Sequence, residues 1–260
     1  MANKNDNRSG ADVSCEGMIR KAAHLSAHEL TDAELAAINK YTLEPLKAED
    51  VFTFKAVLCD NEIDRQYERF SLKALQDLQK LFLGKTVIKD HGWSADGQVA
   101  RIYATELEQG TKTTKSGELY TKLVAHCYMV KTASNADLIA EIKGGIKKEG
   151  SVGCSVSSSI CSICGTDNAK SYCRHWPGKS YDKEGGAQVC TFTLAGAKDA
   201  YEFSLVAVPA QKAAGVSKSY TGETVFETPE TQPETNDTEL ALRIRTAEAT
   251  ARASQNNKED

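Results

Sequence analysis

The chain has 260 residues, a net charge of −4 and an isoelectric point near 5.8, which suits one sizeable domain with tails and excludes an overall basic footprint for duplex nucleic acid. Hydrophobic residues make up 40% of the chain, enough for a core, while 26% charged residues point to segments that stay unfolded. The polar start MANKNDNRSG lacks the apolar stretch of a secretory signal, and no run is long enough to cross a bilayer, so a cytoplasm is the expected location.

Residues 1–48 read as a polar segment with one helix from Asp32 to Leu46, on a thin stripe of Leu35, Ile38 and Leu43. VFTFKAVLCD from Val51 is rich in β-branched and aromatic residues and predicts a strand with Phe52, Phe54, Ala56 and Leu58 on one face. Ser71–Phe82 predicts a helix, with Leu72, Leu75, Leu78, Leu81 and Phe82 at helical spacing and Gly84 as its stop. A short strand, KTVIKDH, then ends at His91, and two more strands are predicted at 98–108 and 119–130 around a polar turn. A third helix is expected at Ser134–Ile146, capped by Ser134 with Asp137 behind it, and strands follow at Ser151–Ile160 and Tyr201–Val208. After Lys218 the Thr/Glu/Pro-rich stretch 218–237 reads as a disordered linker, and 238–260 as a helical or disordered tail. The whole is an α+β, mainly β pattern, with its folded domain over 49–217.

Three segments carry candidate chemistry. In GSVGCSVSSSI strand alternation puts Val152, Cys154, Val156 and Ser158 on one face, and Ser151, Gly153, Ser155 and Ser157 on the other. That small-residue face is either an ordinary solvent-facing surface or a serine nucleophile with room above it for a substrate backbone. A serine needs a base within reach. Of the five histidines, His24 and His28 lie in the polar segment, His126 is mid-strand and His175 sits among cysteines; His91 ends a strand beside Gly92 and can project into a cleft. Glu202, in AYEFSLVAVPAQ, could orient such an imidazole or be an ordinary strand carboxylate.

In order and separation, the His91 turn, EGSVGCSV and YEFSLVAVPAQ resemble the prohead (capsid maturation) serine proteases of tailed phages, a family related in fold to the herpesvirus assemblins. The resemblance covers about residues 50–217, and EFSLVAVPA is its most specific piece. It implies a compact β-barrel-like protease domain with Ser151 as nucleophile, His91 as base and Glu202 as the third member; Ser155 is the rival nucleophile. It also implies phage scaffold and major capsid proteins as substrates, self-processing, action inside an assembling prohead in the host cytoplasm, and a homodimer worth testing. No membrane, specific nucleic acid or catalytic cofactor is expected.

Eight cysteines without a secreted context do not predict disulfides. Cys15, Cys59, Cys127 and Cys154 are scattered and read as small apolar residues. Cys161 and Cys164 form C-x-x-C on a Gly-containing turn, and Cys173 and His175 form C-x-H. Four such donors on two short arms suit a closed tetrahedral zinc site that braces the insertion 161–190, with Cys190 as the alternative to His175. A redox pair or free thiols are the competing readings. Two other functions compete with the protease: a catalytically inactive virion or scaffold protein of the same fold, and a zinc-containing nucleic-acid module, which Asp167, Asp182 and Glu184 disfavour.

Overall fold

The structure is a computed structural model and describes residues 30–211 and 213–217. The expectations for Cys15, His24, His28, the linker 218–237 and the tail 238–260 lie outside these residues. In chain order the elements are α1 (Asp32–Ile38), β1 (Val51–Asp60), β2 (Glu68–Phe70), α2 (Leu72–Leu81), β3 (Thr86–Lys89), β4 (Ala100–Thr113), β5 (Leu119–Val130), α3 (Ala136–Lys143), β6 (Gly150–Cys161), β7 (Ser180–Lys183), β8 (Gly186–Val189), β9 (Phe192–Leu205) and β10 (Gly215–Ser217). The fold is mainly β, as the strand-rich pattern predicts.

One mixed eight-stranded sheet runs β10-β1-β5-β4-β3-β9-β2, with β6 also paired to β9. β4 and β5 form an antiparallel hairpin with β1 antiparallel beside β5, while β3 runs parallel to the end of β9 and β2 parallel to its start. The start of β6 meets β10 through the single bridge Glu149↔Gly215, supported by Gly150 N–H to Ala214 O at 3.2 Å. The Val216 N–H also donates to Lys148 O at 2.6 Å, so the ends of the sheet approach one another here.

The inner surface is filled by Ala56, Leu58, Ile102, Leu123, Ala125, Cys127 and Phe203, all essentially inaccessible to water. The α2 helix starts at Ser71, whose Oγ accepts the Ala74 N–H, and it turns Ala74, Leu75 and Leu78 into the same core. Leu72 does not join that stripe; at the first turn it stays exposed. Cys59 and Cys127 are core residues, as expected, and Cys154 is half-buried against the core.

Several boundaries differ from the sequence reading. The first helix ends at Ile38 instead of Leu46: Thr31 and Glu34 make a full capping box, but only Ile38 is buried and Leu43 is fully exposed. Ser134 does not cap the third helix; it lies in a preceding 3₁₀ turn, and Asn135 occupies the cap position. Ile146 is exposed, whereas Leu138, Ile139 and Ile142 pack inward. The strand expected from Tyr201 begins at Phe192. Its first half, FTLAGAK, pairs with β6 and, over Phe192–Leu194, with β2, and after Leu194 it carries only small or polar side chains.

Candidate catalytic face and candidate metal cluster

The central strand of the site is β9, flanked by β3 on one side and β6 on the other. Val152, Cys154 and Val156 pack against the core, so Ser151, Gly153, Ser155 and Ser157 occupy the opposite, outer face. In the antiparallel ladder Ser151 stands across from Ser204, and Gly153 across from Glu202. Directly opposed residues share a face, so Ser151, Ser204 and Glu202 are neighbours on the outside of the sheet. A register shift between Gly153 and Cys154 brings Ser155 opposite Asp199, whose carboxylate is paired with Lys85 at 3.2 Å.

His91 reaches the same face from the end of β3. Asp90 and His91 both have left-handed backbone, φ 51° and 52°, and the Gly92 N–H closes on Lys89 O at 2.9 Å. Two consecutive positive φ values between such ends are the pattern of a type I′ turn, which favours Asp at its first central position and glycine at the second. A histidine held there costs about 1–3 kcal/mol, and strain of that kind asks for a compensating use. The turn is tied to β9 twice. Asp90 N–H donates to Leu205 O at 3.0 Å, and His91 N–H donates to Ser204 Oγ at 2.7 Å.

The imidazole then lies against Glu202, Nδ1 to Oε1 at 2.9 Å, across 111 residues of sequence. The histidine side chain is 45% exposed and the carboxylate side chain only 4%. In the neutral ring this contact makes Nδ1 the protonated nitrogen and leaves the lone pair on Nε2. The second carboxylate oxygen, Oε2 of Glu202, is buried and has no hydrogen-bond partner among the described residues. Burying an unsatisfied carboxylate oxygen costs about 1–3 kcal/mol, so fold stability alone does not account for Glu202. Its charge is felt by Cys154, whose thiol burial and then Glu202 push up to about 11.

Gly153 makes room for this carboxylate. Its bare backbone admits the Glu202 side chain, since a Cβ there would lie 2.5 Å from Oε1. Trp93, 75% exposed and two residues after His91, lies against Tyr201 at the register shift beside Glu202, with ring centroids 5.7 Å apart. The structure thus brings His91, Glu202 and the Ser151 position to one face. His126 is elsewhere, bonded to Glu106 at 2.8 Å, and His175 belongs to the cysteine cluster. Ser204 was not singled out from sequence. The available signal was its place two residues after Glu202, which puts it on the same strand face.

In the insertion, ligand atoms of Cys161, Cys164, Cys173 and His175 all lie within 4.8 Å of one another. Cys164 and Cys173 sulfurs are 3.4 Å apart, and His175 Nδ1 is 3.2 Å from Cys173 and 3.8 Å from Cys161. Bonds of about 2.0–2.3 Å around a tetrahedral ion give edges of about 3.3–3.8 Å, so the four atoms fit a closed metal site. Cys190 approaches from a third arm, its sulfur 3.8 Å from that of Cys161. N–H groups of Ile163 and His175 donate to Cys161 and Cys173 sulfurs, as suits thiolates. Burial and then the neighbouring thiols push Cys190 up to about 12, whereas hydrogen bonds to Thr166 hold Cys164 down to about 6. Crowded thiols resist ionising together unless a cation compensates them. The local core here is only Cys161, Cys173, Cys190 and Phe192, with Ile163 and Tyr181 beside it, too little to fold a loop without a staple. A cavity of about 270 Å³ lined by Tyr172, Trp176, Phe192 and Glu68 lies beside this cluster, apart from His91.

The class defined by these features is a mainly β domain with a His–Glu pair on one sheet face and a Cys/His cluster in an insertion. No family model, curated protein or solved structure matches the chain.

Proposed function

We propose that the chain is a serine endopeptidase of the prohead-protease type, with Ser151 as nucleophile, His91 as general base and Glu202 as the residue that orients and stabilises the imidazole. The observation that carries this reading is the 2.9 Å contact between His91 Nδ1 and the buried Glu202 on the face that Ser151 shares. Ser151 Oγ attacks the scissile carbonyl while His91 Nε2 takes its proton. The imidazolium, held by Glu202, returns that proton to the departing amine, and water then resolves the acyl-enzyme through the same base. Ser151 is preferred to Ser155 because its ladder partner, Ser204, also holds His91, whereas Ser155 faces the Lys85–Asp199 pair.

The resemblance of the three motifs supplies the substrates: scaffold and capsid-protein segments, cut inside an assembling shell, with the chain's own tails as further targets. Zinc is the proposed metal of the Cys161, Cys164, Cys173 and His175 cluster. With four protein ligands it would hold the insertion together and leave no position for a reacting water.

The test is incubation of the wild type, Ser151→Ala and Ser155→Ala with the cognate scaffold or capsid precursor. Loss of the nucleophile lowers kcat by about 10³-fold or more, so only Ser151→Ala abolishes cleavage. Undiminished cleavage by Ser151→Ala removes that serine from the mechanism. A wild type that cuts nothing even within assembling proheads supports a virion or scaffold protein of the same fold.

A further inference from the structure

We infer that Ser204 is a positioning residue for the catalytic base: its hydroxyl oxygen clamps the strained His91 turn and so keeps the imidazole against Glu202. The kinetic part of this inference rests on the peptidase reading; the structural part does not.

The argument starts from the backbone. His91 occupies a turn position that glycine normally fills, at φ 52°, directly after Asp90 at φ 51°. Released from its constraints, a histidine leaves that region for ordinary negative φ, and the change swings the side chain away from its contact. Closure within the turn, Gly92 N–H to Lys89 O, does not involve His91's own N–H. That N–H is held by Ser204 Oγ at 2.7 Å, shorter than the other bond tying the turn to β9, which runs from Asp90 to Leu205 O.

Ser204 is also rigidly placed. It is fully inaccessible to water, lies on β9 between β3 and β6, and follows the core residue Phe203. Glu202 shares its strand and face, so one short stretch of β9 fixes both the backbone and the ring of His91. Across the ladder Ser204 faces Ser151. The side chain that anchors the base is thus one strand spacing, about 4.8 Å, from the strand of the proposed nucleophile. A serine suits this position because it is small enough for the interior and supplies an acceptor that alanine lacks.

The test uses the full chain labelled with ¹⁵N-histidine, the His91 ring signal being assigned by its loss in His91→Asn. The wild type shows one tautomer, protonated at Nδ1. Ser204→Ala gives a mixture of tautomers, with kcat on a capsid precursor lowered about tenfold or more and KM within about twofold. Ser204→Cys, similar in shape with a weaker acceptor, falls between them. A wild-type ring signal and wild-type kcat in Ser204→Ala overturn the inference. A ring that loses its tautomer in a protein that cleaves no substrate leaves the clamp standing and removes the peptidase reading.

Discussion

Gly153 lies directly across the ladder from Glu202, and a Cβ at Gly153 would stand 2.5 Å from the carboxylate Oε1 and 3.2 Å from Cδ. The carboxylate that holds His91 occupies space which any other residue at 153 would claim. Gly153→Ala should therefore act on the site more than on the fold. Its backbone is not in the left-handed region, so alanine is tolerated there and stability changes by about 1 kcal/mol or less. Cleavage of a capsid precursor should fall by about tenfold or more, because Glu202 must swing away from the imidazole. Thermal melts measured beside kcat/KM check both halves; unchanged activity refutes the steric account.

Gly215 shows the opposite balance. A Cβ there would collide with the carbonyl oxygen of Lys148, beside the Glu149↔Gly215 bridge that joins β10 to the start of β6. That atom is backbone and cannot rotate aside. Gly215→Ala is expected to destabilise the protein by about 2 kcal/mol or more, measured as a lower midpoint in urea unfolding. A midpoint equal to wild type would mean that this closure contributes little.

Much of the scaffold was legible because period and composition agree with burial. The outer and inner faces of 151–157 follow strict alternation, and the core of α2 follows the leucine spacing. What sequence could not show is relational. Ser204 gains its meaning from a hydrogen bond to a residue 113 positions away, and Glu202 reads as a strand carboxylate until the parallel pairing of β3 and β9 brings His91 to it. The early start of β9 is hidden in the sequence because Ala195, Gly196 and Ala197 lack strand-forming bulk, and their place is set by the pairing of this stretch with β6. The ribbon of β7 and β8 is hidden for a similar reason, since its residues are mostly polar and exposed.

Metal content offers a direct check on the insertion. The intact chain is expected to carry one tightly held zinc, and Cys161→Ser with Cys164→Ser to carry none. Chelation should expose residues 161–190 to limited proteolysis and lower the melting temperature by about 5 °C or more, while the strand signal in circular dichroism persists, because the main core does not draw on these residues. Zinc content unchanged in the double variant would refute the site.

Asp60 ends β1 in a buried position, where its Oδ2 accepts from the Tyr120 hydroxyl at 3.0 Å and its Oδ1 from the Glu62 N–H at 2.9 Å. Gln211 clasps its backbone from both sides. Burial pushes the carboxyl up to about 6, against the hydrogen bonds that favour the anion. A carboxyl raised in the folded state keeps its proton there while the unfolded chain, with an ordinary value near 3.8, has already released it. Stability from this group is therefore greatest below about pH 4, falls as pH rises to about 6, and stays reduced above. The full difference is of order 2–3 kcal/mol. Asparagine keeps the acceptor for Glu62 and can donate to the Tyr120 oxygen without carrying charge. Asp60→Asn should melt higher than wild type at pH 8, by about 4 °C or more, and close to wild type at pH 4.5. Equal melting temperatures at pH 8, or a lower one for the variant, would show that the buried anion is better satisfied than these contacts imply.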